Sequence, residues 1–153
     1  MPRRLTSLHA RTICHATEDP AKVELALRAV VGDSPIERSS TEGHFGNSIE
    51  VLESTVKDEA HMLGLLRRMT EKDLGEVAST LDMRMDDACF IFLRLDKQRA
   101  YGGELGLSEG EDVIAVRIKV RAYPAKREIA SEIVKGVLDE VVSNRGAEAD
   151  RAG

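Results

Sequence analysis

Residues 113–122 read Val-Ile-Ala-Val-Arg-Ile-Lys-Val-Arg-Ala, and this alternation constrains the fold more than any other stretch of the chain. On a strand, side chains two apart share a face. Ile114, Val116, Ile118 and Val120 fall on one side, and Arg117, Lys119 and Arg121 on the other. Slipping the register by one residue would carry the cations into the core, so the pattern itself specifies which side is buried. Such a strand calls for a sheet with one face packed and one face open to water or to a partner, as antiparallel sheets allow.

The remaining elements follow in an irregular order. Residues 5–15 alternate imperfectly: Leu8, Ala10 and Cys14 share a face, while Leu5 and Ile13 join the polar side. Asp19-Pro20 starts a helix, with Asp as the cap and Pro in the first turn. Val23, Leu27, Val30 and Val31 form its apolar stripe, and Gly32-Asp33-Ser34-Pro35 ends it. Residues 36–42 suit a poor strand and 49–56 a better one. Met62, Leu65, Leu66 and Met69 give one helical stripe; Leu74, Val77, Ala78 and Leu81 give a second. The second is entered through Thr70-Glu71-Lys72-Asp73, a capping box with Asp in place of Glu.

Cys89 to Leu95 is a strand candidate, and the unbroken run Cys89 to Leu93 predicts burial on both of its faces. Residues 96–112 read as irregular. Pro124 opens a last helix with the stripe Ile129, Ile133, Val134, Val137 and Val141. The whole order predicts an α+β fold, a mostly antiparallel sheet with helices packed on one face. Residues 1–142 are expected to form a single domain and 143–153 a frayed C-terminal tail.

At 153 residues, 42% hydrophobic and 32% charged, the chain has a globular composition and can bury a core. No apolar run approaches the roughly 20 residues that span a bilayer. Basic Met1 to Arg4 is not followed by an apolar stretch, so a cytoplasmic location is expected. Cys14 and Cys89 have no metal-ligand spacing and are expected as buried free thiols. Phosphate-loop, nucleophile-elbow and zinc-protease motifs are absent. The histidines show no ligand spacing. Asp86-Asp87 reads as a solvated turn, with a magnesium site as the alternative. The expectation is therefore a protein that is not an enzyme and needs no metal or cofactor.

Net charge is −5, which excludes a generally basic nucleic-acid binder, but the charge is polarised. Residues 94–127 carry eight basic and five acidic residues; the rest of the chain carries 14 basic and 22 acidic. From Arg117 to Arg127 there are five cations (Arg117, Lys119, Arg121, Lys126 and Arg127) and no acid. Strand neighbours two apart lie about 6.6 Å from each other, close to the phosphate spacing of a nucleic-acid strand. Lys126 and Arg127 fall where a helix start prefers acids, and an anionic partner would offset that cost. A phosphate-binding face and an ordinary solvated sheet face both fit this pattern. Arg94, Lys97, Arg99 and Tyr101 flank it, in a stretch that suits either phosphate contact and stacking or local ion pairing. His44 and Asn47, in Gly43-His44-Phe45-Gly46-Asn47, are further candidates; a plain hairpin turn is the alternative there.

Four stretches carry a family resemblance: Cys14-His15-Ala16-Thr17-Glu18-Asp19, Gly43 to Ile49, Leu93-Arg94-Leu95-Asp96-Lys97-Gln98-Arg99-Ala100-Tyr101, and Arg121-Ala122-Tyr123-Pro124-Ala125-Lys126-Arg127. From about residue 8 to residue 142 the chain resembles the small archaeal RNA-binding proteins described as predicted exosome subunits. That resemblance implies a fold like the ribosomal protein that binds 5S rRNA, RNA binding without catalysis, and exosome subunits as partners. Arg99 departs from the family, which often has a small residue there. An adaptor that docks on a larger complex through its open sheet face is the rival expectation.

Overall fold

The structure, a computed structural model, describes residues 3–42 and 48–152, with side chains as far as Asn144. Its strands are β1 (Leu5–Cys14), β2 (Glu37–Glu42), β3 (Ser48–Val56), β4 (Phe90–Asp96) and β5 (Val113–Val120). They form one five-stranded sheet in the order β2-β3-β1-β5-β4. β3 runs antiparallel to both β1 and β2, with Leu8 opposite Val56 and Glu37 opposite Glu53. The protein is α+β with a mostly antiparallel sheet, as the patterning predicts.

β5 keeps the predicted register. Ile114, Val116, Ile118 and Val120 are buried, and Arg117 is exposed. Lys119 is half-buried rather than exposed. The strand ends at Val120, so Arg121 lies just beyond it, exposed, with its backbone N–H donating to the Arg4 carbonyl at 2.8 Å.

By its internal contacts the chain divides into two compact units. The first comprises Met1–Ser7, Lys57–Phe92 and Ile118–Gly153. It holds α2 (Glu59–Arg68), α3 (Glu71–Ser79), α4 (Leu81–Arg84) and α6 (Arg127–Ala152). Asp58 caps α2 by accepting from Ala60 N–H at 3.1 Å, and Thr70 caps α3 by accepting from Asp73 N–H at 3.1 Å. α6 packs against α2 and α3. It begins at Arg127 and not at Pro124, because Pro124 to Lys126 make a turn closed by a 2.8 Å bond from Lys126 N–H to the Pro124 carbonyl. Its buried seam is Ala130, Val134, Val137, Leu138 and Val141; Ile129 and Ile133 are only half-buried, so the helix is rotated slightly from the expected face. It continues as helix past Ser143 to Ala152.

Also in this unit, the Glu59 carboxylate accepts from the Arg4 and Leu5 N–H groups at 2.7 and 2.9 Å, which ties down the start of β1. The Leu5 bond is the main cause that holds this carboxyl below the usual range. Asp86 Oδ1 accepts from the N–H groups of Ala88 and Phe90 at 3.0 and 2.9 Å, so it organises the turn into β4. The first part of β4 corrects the expectation of burial on both faces. Ile91 is buried, but Phe92 is 41% exposed and Phe90 half-buried. β4 is an edge strand, and its alternation sends these rings to the uncovered face.

The second unit comprises Leu8–Val56 and Leu93–Arg117. α1 (Pro20–Val31) packs on β3 and on α5 (Lys97–Tyr101). Asp19 caps α1 as expected, accepting from Ala21 N–H at 3.0 Å. α5 replaces part of the irregular segment expected after residue 96. It forms because Asp96 Oδ1 accepts from Arg99 N–H at 2.9 Å while Ala100 turns inward. All of β2 is exposed; it is a strand through its pairing with β3 and not through an apolar pattern of its own. Cys14, on β1 of this unit, and Cys89, before β4 of the first, are buried free thiols, as expected. No helix among the described residues is long and apolar enough to cross a membrane.

Candidate nucleic-acid interface

In the first unit, the candidate cations gather around the end of β5 and the start of α6. Lys119 donates to the Ala88 carbonyl, and its ammonium sits 4.7 Å from the Phe90 ring centroid. This cation–π contact holds the charge at the surface over an aromatic face. Arg127 is half-buried and donates to the Asp82 carbonyl, so it braces α4. Arg121 and Lys126 are exposed, and Tyr123 between them is 97% exposed. This surface of the unit offers two outward cations, two partly engaged ones and an uncovered ring.

The second unit holds the other candidates, and it uses most of them internally. Lys97 is buried. Its ammonium lies 2.8 Å from the Ile13 carbonyl, 2.9 Å from Glu18 Oε1 and 2.7 Å from Asp112 Oδ1. All three donors of the ammonium are thereby occupied. Burial works against its charge, but the carboxylates of Asp112 and Glu18 outweigh it and hold the group above its ordinary value. Lys97 joins the Cys14–Asp19 stretch to the 93–101 stretch, with its ammonium turned inward.

Arg99 makes a 3.2 Å pair with Glu104 and lays its guanidinium over Gly106, where a Cβ would come within 2.2 Å of it. Tyr101 is 46% exposed, with the Lys22 ammonium 5.5 Å from its ring centroid. Beside these groups is a cavity of about 270 Å³ lined in part by Glu18, Lys22 and Gln98. Arg94 is exposed and donates to the Gly110 carbonyl at 2.8 Å. Arg117 stands outward on β5, two positions before Lys119 and on the same side of that strand. His44 and Asn47 lie outside the described residues.

The structure also brings out two residues outside the candidate set, Tyr123 and Phe92. Tyr123 has a flanking sequence signal, Arg121 before it and Lys126 and Arg127 after it. Phe92 was hidden in an apolar run, and the alternation of β4 puts it on the exposed side, opposite buried Ile91 and Leu93. No cluster of side chains able to hold a metal ion occurs among the described residues.

Comparison with known proteins gives these features a context. A family model described as RNA binding matches residues 7–120. The chain is 39% identical over 146 residues to RNA-binding protein PAB1135 of Pyrococcus abyssi, covering 87% of this chain and 93% of that one. Among solved structures, protein AF2318 from Archaeglobus fulgidus superposes with a TM-score of 0.78 at 32% identity, covering 88% of this chain and 99% of its own. Mth689 from Methanothermobacter thermautotrophicus, described as a DUF54 protein, gives 0.75 at 34% identity, covering 89% and 99%. With most of its length matched by the family model and by a relative of this identity, the chain belongs to the family described as RNA binding.

Proposed function

We propose that this protein is a non-catalytic RNA-binding protein that grips RNA through its phosphates and serves as an accessory factor in RNA processing or degradation. The observation that carries this reading is the run from Arg117 to Arg127, five cations with no acid inside a chain of net charge −5, with Arg117, Arg121 and Lys126 exposed. Family membership supports it. The absence of nucleotide-loop and hydrolase motifs supports a binding role. The link to the exosome, and kinship with the fold of the 5S-rRNA-binding ribosomal protein, are supported by the resemblance of the 93–101 and 121–127 stretches.

Salt titration of RNA binding tests the phosphate contacts. Counterion release gives a slope of log K against log salt of about −0.7 per phosphate neutralised on a single strand. Three contacts, from Arg117, Arg121 and Lys126, correspond to a slope of about −2 on the same rule. Replacing all three with Ala should bring the slope towards zero and weaken binding to all sequences alike, because phosphate contacts carry no sequence information. A wild-type protein that ignores RNA at low salt, or a slope that the folded triple variant leaves unchanged, would overturn the reading and favour a protein–protein adaptor. Co-sedimentation with purified exosome subunits after nuclease treatment reads the assembly role separately.

A further inference from the structure

We infer that Tyr123 is a base-stacking position, which makes single-stranded RNA the ligand class of the surface around Arg121 and Lys126. The inference rests on the RNA-binding reading and narrows it.

The chain spends its aromatics unusually. It has no Trp, two Tyr and three Phe. Aromatic side chains ordinarily dominate cores. Here none of the four described ones is buried: Phe90 is half-buried, Phe92 41% exposed, Tyr101 46% and Tyr123 97%. The core is built from aliphatic side chains and methionine instead. An uncovered large ring is informative in a way that an exposed small apolar residue is not. Phe90 and Tyr101 each have a lysine ammonium over the ring. Tyr123 has no such contact among the described residues, and nothing shields it from solvent.

Its surroundings favour nucleic acid over an apolar partner. Exposed Arg121 precedes it by two residues and exposed Lys126 follows it by three. A ring between cations matches the requirement of a single strand, whose bases are available to stack while its phosphates need positive charge. Bases already stacked inside a duplex are not available to an outward ring.

The test is a titration of wild type with a single-stranded RNA oligonucleotide and with a duplex of the same length, followed by tyrosine emission. With no Trp in the chain, that emission reports tyrosine alone. Single-stranded RNA should quench it on binding, and the duplex should bind more weakly with little quench. Tyr123→Phe keeps a stacking ring, so affinity should hold while the quench falls sharply. Tyr123→Ala should weaken single-strand binding by about 5- to 150-fold, the range typical of losing one stacked base. Because Tyr101 also emits, the fall in quench in Tyr123→Phe, which keeps a ring at that position, assigns the signal to Tyr123. Salt-dependent RNA binding with unchanged emission, or with full affinity in folded Tyr123→Ala, would overturn the stacking role and leave the phosphate-binding function standing. No RNA binding by wild type would overturn both.

Discussion

Lys97 and Arg121 are both cations in family-like stretches, yet they have opposite fates. Lys97 is buried with two carboxylates and a carbonyl around it, and Arg121 points to water. Removing Lys97 would leave Glu18 and Asp112 without their shared cation, with the His15 N–H and the Gln98 amide still donating to them. Both carboxylates keep some contact with water, which moderates the cost. Lys97→Met should therefore destabilise the fold by about 2–3 kcal/mol, below the largest values for breaking a fully buried pair. Urea unfolding measures it. The pH dependence has a definite sign. Burial tends to raise the Asp112 carboxyl, but its bonds from Lys97 and Gln98 win and hold it below the ordinary value. Its contribution is present above the unfolded value and is lost as pH falls through the folded one. Lys97 lies on the other side: its contribution is present below its unfolded value and lost as pH rises through the raised folded one. Lys97→Met should flatten both limbs of the stability–pH curve.

Among the elements, β5 and α1 were legible because single periodicities decide them, whereas α6 shows where periodicity is too coarse. Five apolar residues predicted its stripe, but Ile129 and Ile133 lie half out while Ala130 and Leu138 are buried. A helix that is apolar over a wide arc can rotate, and contact with α2 and α3 selects the final face. Leu138→Ala should cost about 2–4 kcal/mol, as burial and cavity formation require, and Ile133→Ala less than half of that. Thermal or urea unfolding of the two variants compares them directly. The reverse order would place the seam on the isoleucines. α5 escaped the sequence reading because five residues give no periodicity; the Asp96 cap was its one local signal.

At the scale of the molecule, β1, β4 and β5 each run from one compact unit into the other, so the units share continuous backbone. We expect one cooperative unfolding transition in consequence. The two thiols provide the measurement, because Cys14 belongs to one unit and Cys89 to the other, and both are buried. Burial also pushes the Cys14 thiol upward, helped by Glu18 and Glu50, which further slows its reaction. A thiol reagent should modify neither in the native protein and both at the same urea midpoint. Separate midpoints would show that the units unfold independently. The acidic net charge makes a further point at this scale. RNA attraction cannot come from the bulk field of an acidic chain; on the proposed reading it comes from the local cations after Val116.

The sequence by itself determined the α+β class, the register of β5, the start of α1 and the polarised charge. Each of these depends on near neighbours along the chain: a period of two, a cap beside a proline, a count of ions. The tertiary structure alone decided which candidates face outward. Lys97 is drawn inside because Glu18 and Asp112, far away in sequence, converge on its ammonium. Phe92 is turned outward because β4 buries Ile91 and Leu93 on its other face and nothing covers this one. β2 becomes a strand because β3 supplies its hydrogen bonds. The physical reason is common to all three. An ion pair, an uncovered sheet face and a strand ladder each need a partner that lies outside the segment itself, and a local pattern contains no information about which partner it will meet.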